Sequence, residues 1–235
     1  QIDFFTGASR MLRDRIARAE SSWHDGMPGH HAVLSMLAFG LEETGDYGRA
    51  EIYGRRGVEQ EPYDGWGWHA VAHVMEMQHR RRDGVAWLTS QTPAWSEGSF
   101  LAVHNWWHLA LFHLGLGQID EVLALVDERI LGGASPVVLD MIDASAMLWR
   151  LQLRGVPVGE RWRALAERWT AASAHSTYAF NDMHAMMAFV GADRMGDAEH
   201  LLMAQQQALE GDSDNRLFLR EVGIDATRAI HDFAP

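Results

Sequence analysis

No cysteine occurs among the 235 residues, so the chain has no disulfide framework and no thiolate to bind metal or attack a substrate. That absence suits a reducing compartment, and the expected location is the cytoplasm. No run of about 18 apolar residues is present, which excludes a helical membrane span. Cations are outnumbered, with 20 basic against 32 acidic side chains and a net charge of −12 with histidine neutral. A surface of that sign disfavours nucleic acid and anionic membrane as partners. Strand-type alternation is scarce. The chain also lacks a phosphate loop, a G-x-S-x-G elbow and a dinucleotide-binding glycine fingerprint. No signal-peptide pattern opens it, and Gln1 is not an initiator residue, so it reads as a piece of something longer.

Hydrophobic residues make up 47 % of the chain, enough to exclude disorder and to build a sizeable core. Ten tryptophans and twelve methionines read mainly as fillers between helices. The apolar spacing is helical and recurs in units. From His31 to Asp64, Leu34, Ala38 and Leu41 mark one stripe, Gly45-Asp46-Tyr47 a turn, Ala50 and Tyr53 a second helix, and Pro62 an end. Trp68 and Ala72 take similar places in the next unit, with a turn at His79 to Gly84. Trp106, Ala110, Leu114, Gly117, Val122 and Val126 do so in a third. Recurrence at this length predicts an all-α, tetratricopeptide-like α-solenoid of about five helix pairs. The expected layout is one helical-repeat domain over 1–235, with a lead-in helix within 1–30 and pairs at 31–64, 65–98, 99–135, 136–175 and 176–212. A cap over 213–235 completes it. The lead-in spans Phe4 to Trp23, the cap helix Asn215 to His231, and Gln91 to Ser99 forms a loop. Arg80-Arg81-Arg82 reads as a solvated turn after a helix.

Several longer stretches carry a family likeness. They are Leu37-Ala-Phe-Gly-Leu-Glu-Glu-Thr-Gly-Asp-Tyr-Gly-Arg-Ala-Glu51, His69-Ala-Val-Ala-His-Val-Met-Glu-Met-Gln78, His104-Asn-Trp-Trp-His-Leu-Ala-Leu111, Leu139-Asp-Met-Ile-Asp-Ala-Ser-Ala-Met-Leu-Trp-Arg-Leu151 and Phe180-Asn-Asp-Met-His184. In this order they resemble the tetratricopeptide repeat protein 38 family and its bacterial members. The resemblance implies a tetratricopeptide-like solenoid and a further segment upstream, and it implies no particular reaction.

The densest chemistry is two histidine pairs, His69/His73 and His104/His108, each spaced i, i+4 and set 35 positions apart. Such spacing puts both imidazoles of a pair on one helix face. In a tetratricopeptide array the first helix of each repeat lines the concave groove. Counted on that basis, the groove receives Phe39, Glu42 and Glu43 from the first unit, and His69, His73 and Glu76 from the second. The third contributes His104, Trp107 and His108, the fourth Asp140, Asp143 and Arg150, and the fifth Asn181, Asp182 and His184. Imidazole and carboxylate are common ligands of borderline divalent metals. The expected metal ligands are therefore His69, His73, His104, His108 and Asp143, holding zinc or iron, with Glu76 or Glu42 as general base. Phe39, Glu43, Trp107, Asp140, Arg150, Asn181 and His184 are expected to line the rest of the site. The bland alternative is that these histidines simply pack, His108 above all because Trp106 and Trp107 precede it and His113 follows. Neither pair carries the glutamate of the H-E-x-x-H zinc motif, since Ala70 and Asn105 stand in its place.

Two functions follow. One is a site for a small polar molecule, either bound without a metal or acted on by a metal-assisted enzyme of hydrolytic type. The other is a non-catalytic adaptor gripping a peptide or protein partner in its groove. Adaptor grooves favour lysine, arginine and asparagine for acidic peptide ends, whereas this groove offers histidine, acids and tryptophan, with Arg150 as its clear cation. The balance tilts to the small-molecule site.

Overall fold

The computed structural model describes residues 2–133, 135–173 and 175–233. Among them the structure is all-helical, with no strand. Two compact units divide at Leu125 and Val126. No helix in the described residues is long and apolar enough to cross a membrane.

The first unit holds α1 (Ile2–Phe5), α2 (Ser9–Glu20), α3 (His30–Glu42), α4 (Tyr47–Gln60), α5 (Gly65–Met77), α6 (Arg81–Ser90), α7 (Thr92–Ser96), α8 (Ala102–Gly115) and α9 (Ile119–Leu125). Consecutive helices pair as α3 with α4, α5 with α6, and α8 with α9; α5 in turn packs on both α3 and α8. Helix α5 explains its own placement. Trp68, Val71, Ala72 and Met75 share one face and enter a core with Leu88, Trp95, Leu109 and Phe112. Its start is tied down by Asp64, whose carboxylate accepts from the backbone N–H of Trp66 at 3.1 Å and from Ser35 Oγ on α3 at 2.7 Å. A side chain at Gly57 of α4 would put its Cβ 2.5 Å from that same Ser35 hydroxyl, so the close approach of α3 and α4 needs glycine there.

The second unit begins with a π-helical turn at Val126–Ile130, followed by α10 (Val138–Leu153), α11 (Arg161–Ala172), α12 (Ala179–Gly191) and α13 (Met195–Ala208). It ends in α14 (Asn215–Phe218), a second π-helical turn at Leu219–Gly223 and α15 (Ile224–Asp232). Helix α12 packs on α10, α11, α13 and α15. Fully buried Met147, Leu148, Trp162, Leu165, Trp169 and Phe189 fill its core. The Trp169 indole N–H donates to Ser145 Oγ at 2.9 Å, which satisfies a polar atom that burial would otherwise strand.

One turn ends the first helix of every pair. The N–H of Asp46 donates to the carbonyl of Leu41, Arg80 to Met75, Gln118 to His113, Val156 to Leu151 and Arg194 to Phe189, all at 2.8–3.0 Å. This six-residue closure needs a left-handed residue just before the donor. Gly45, Gly117 and Gly155 supply it with φ of 83°, 75° and 72°, but His79 and Asp193 do so with side chains at φ of 58° and 55°.

Four local expectations are corrected. The lead-in segment is broken into α1 and α2 at Gly7, whose φ is 71°. The segment 91–99 contains α7, because Pro93 sits in the first helical turn, where a missing N–H costs nothing. The tail is two helices with a π-helical turn between them. Arg81 and Arg82 open α6, while Arg80 closes on Glu51 of α4 at 2.6 Å and Asp83 at 2.9 Å.

Candidate metal centre

His69 and His73 lie one turn apart on α5, on the side away from Trp68 and Met75. His104 and His108 lie one turn apart on α8. Because α5 packs on α8, the four rings meet within the first unit. Ring centroids are 4.2 Å apart for His69–His73, 4.9 Å for His69–His104 and 5.2 Å for His69–His108. They are 4.6 Å apart for His73–His108 and 4.8 Å for His104–His108. One nitrogen from each ring lies within 4.8 Å of the others, close enough for all four to hold one metal ion.

Burial decides the chemistry of the group. His69 and His108 are 3 % and 4 % exposed. Burial, then the neighbouring imidazoles, pushes both well below the ordinary imidazole range, so they are neutral near pH 7. Both nitrogens of His69, both of His108 and Nε2 of His73 are buried with no hydrogen-bond partner. Each stranded polar atom costs about 1–3 kcal/mol. A packing role for these histidines would predict satisfied nitrogens, and these are not satisfied. Converging lone pairs of neutral imidazoles are instead what a divalent ion requires.

Carboxylates adjoin the group from α3. Glu42, buried, accepts from His73 Nδ1 at 3.2 Å. Glu42, Glu43 and His73 form a second set of mutually close donor atoms. Partial burial, and then Glu42, raise the Glu43 carboxyl, while His73 pulls it down. Aromatic rings enclose the rest. Phe39 lies 5.6 Å from His69 and 5.8 Å from His73, and Trp107 stacks on His104 at 5.5 Å and 9°. Trp66 meets His69 edge-on at 5.4 Å. Trp66 stands outside the expected set, although its place three residues before His69 puts it on the same helix face. Glu76 follows His73 by three residues, and its buried Oε2 has no hydrogen-bond partner.

The remaining candidates lie in the second unit. Asp140, Asp143 and Arg150 are on α10, with both acids buried. Asn181 and His184 are on α12. His184 Nδ1 is 2.8 Å from the Phe180 carbonyl, and burial lowers its pKa. Asp182, beside it, accepts from Ser176 Oγ at 2.6 Å and from Gln205 Nε2 at 3.1 Å, and burial raises its pKa. That buried network ties α12 to α13, and spacing along the chain did not reveal it. No protein-family model matches the chain, and no solved structure matches it.

The neutral imidazoles carry a pH signature. In the unfolded chain His69 and His108 take up protons near pH 6.5, whereas in the folded protein they do so only at lower pH. The unfolded state therefore binds more protons below pH 6.5, and stability falls as the solution is acidified through that point. The expected slope in metal-free protein is roughly 1.4 kcal/mol per pH unit for each of the two groups. Chemical denaturation between pH 7.5 and 5.5 measures it, and a flat profile would show that the two rings are not held neutral.

Proposed function

We propose that the first unit binds one divalent transition metal through His69, His73, His104 and His108 and uses it on a small polar molecule. The observation that carries the reading is the convergence of the four rings, with both nitrogens of His69, both of His108 and Nε2 of His73 buried among them without hydrogen-bond partners. Four nitrogen donors suit zinc, iron, nickel or copper, while magnesium and calcium demand oxygen. Zinc or iron is the favoured occupant. When bound, the ion supplies Lewis acidity to a ligand beside it. The chain's own groups then divide the work. Phe39, Trp66 and Trp107 exclude water around the imidazoles. Glu76, three residues after His73 and with its Oε2 unpartnered, is the group assigned to take a proton from an attacking water in a reaction of hydrolytic type. Near-complete burial of His69 and His108 argues against a peptide-gripping groove at this point.

We also propose that the helix pairs form a tetratricopeptide-like solenoid, related to the tetratricopeptide repeat protein 38 family. Support comes from the identical closing turns at Gly45, His79, Gly117, Gly155 and Asp193. Within the first unit, contact among α3, α5 and α8, the first helices of successive pairs, agrees with it.

Elemental analysis and titration of the purified protein test the metal reading. About one equivalent of zinc, iron, nickel or copper per chain is expected, with millimolar magnesium or calcium unable to displace it. A cobalt-loaded sample whose visible spectrum shifts on adding azide would show a ligand position open to small molecules. Failure to bind any of these metals would end the proposal.

A further inference from the structure

We infer that Glu42 is a positioning residue for this centre: it fixes the tautomer and ring angle of His73, aims Nε2 at the ion, and supplies negative charge to balance it. The inference rests on the metal reading above and assigns a role to a residue that would otherwise be taken for a base.

The placement of Glu42 is costly without such a role. It lies in the last turn of α3, where the helix dipole disfavours an anion. It is 6 % exposed, so its carboxylate has lost most of its water. The chain contains no lysine. Among the described residues no arginine pairs with Glu42, and the polar group it meets is His73 Nδ1 at 3.2 Å. With Nδ1–H donated to the carboxylate, the lone pair available to a metal is on Nε2. That atom is buried, without a hydrogen-bond partner, on a ring 4.2 Å from His69 and 4.6 Å from His108. Four neutral imidazoles leave a divalent ion with its full charge in a desolvated place. A carboxylate one ring away offsets part of that charge and raises the basicity of the ligand between them. Glu43, the next residue, is less buried and has no hydrogen bond to His73.

Zinc affinity of the full chain, measured by competition with a chromophoric chelator, tests this. Glu42→Gln keeps the shape and removes the charge, and it is expected to weaken binding about 10–100-fold. Glu59→Gln, at an exposed position on α4, is expected to stay within about threefold of the wild type, since it orients no ligand. Long-range proton–nitrogen spectra of the metal-free protein give a second readout. His73 should be a single Nδ1–H tautomer in the wild type and a mixture in Glu42→Gln, whose amide can donate as well as accept. Unchanged affinity in Glu42→Gln, an equal loss in Glu59→Gln, or an Nε2–H tautomer in the wild type would each overturn the inference while leaving the metal reading intact. A wild type that binds no zinc, iron, nickel or copper would overturn both.

Discussion

Replacing His69 and His108 together with leucine is expected to weaken metal binding about 10⁴-fold and, at the same time, to raise the melting temperature of the metal-free protein. The two effects have separate causes. A structural zinc site is worth roughly 10–16 kcal/mol, or about 3 kcal/mol for each of four ligands, so losing two weakens binding on the order of 10⁴-fold. Stability moves the other way. His69 and His108 are almost fully buried and all four of their ring nitrogens lack hydrogen-bond partners. Leucine has nearly the volume of histidine and strands nothing. Removing two unsatisfied groups gains about 2 kcal/mol or more. For a chain of this size that is on the order of 5 °C.

Opposite signs on the two measurements are what distinguish a site from a core. If the histidines were ordinary packing residues with satisfied nitrogens, their loss would leave hydrogen-bond partners unpaired and lower the melting point. A metal-free melting point that falls in the double leucine variant, with metal affinity kept, would therefore reverse the reading. The acid-induced loss of stability below pH 6.5 should vanish in the same variant, because the groups responsible are gone.

Part of this arrangement is legible along the chain, and the limits have physical causes. Histidines at i, i+4 announce a shared helix face, because 3.6 residues make a turn. Their convergence across α5 and α8 needed a count of what lies between, and α7 was hidden there. Pro93 reads as a breaker, although proline is well placed in a first turn. The turns at Gly45 and Gly117 are legible because glycine takes left-handed backbone without penalty. At His79 a turn is expected but its left-handed residue carries no signal, and at Asp193 no residue marks the turn, since side chains rarely adopt φ near 55°. The expected second turn therefore runs to Gly84, whereas α6 begins at Arg81. Glu42 illustrates a different limit. Its place on α3 followed from helical periodicity, yet its partner, His73, belongs to another helix, and no pattern within α3 names it. Asp140, Asp143 and Arg150, counted into the same groove as the histidines, lie on α10 in the second unit.

The core packed against the opposite face of α5 should respond with the reverse sign. Trp95→Ala is expected to cost about 3–5 kcal/mol, the range for emptying the space of a buried tryptophan. Trp95 is 0 % exposed and packs among Trp68, Leu88, Leu109 and Phe112. Its ring lies 4.6 Å from that of Trp106, and its indole N–H donates to the Leu88 carbonyl at 2.9 Å. Trp95→Phe separates the two contributions: it keeps most of the apolar contact and gives up the hydrogen bond, for about 1–2 kcal/mol. Urea denaturation of both variants, followed by a probe in the first unit, measures the difference. Since α7 packs on both α5 and α8, the alanine variant should also loosen the spacing of the two histidine pairs and weaken metal binding, whereas the phenylalanine variant should not. A loss below about 1 kcal/mol in Trp95→Ala would mean that this cluster is not the support on which the helices rest. The face carrying Trp68 and Met75 would then give no reason for the imidazoles on the other side to be held together, and that reason is what the four-histidine geometry depends on.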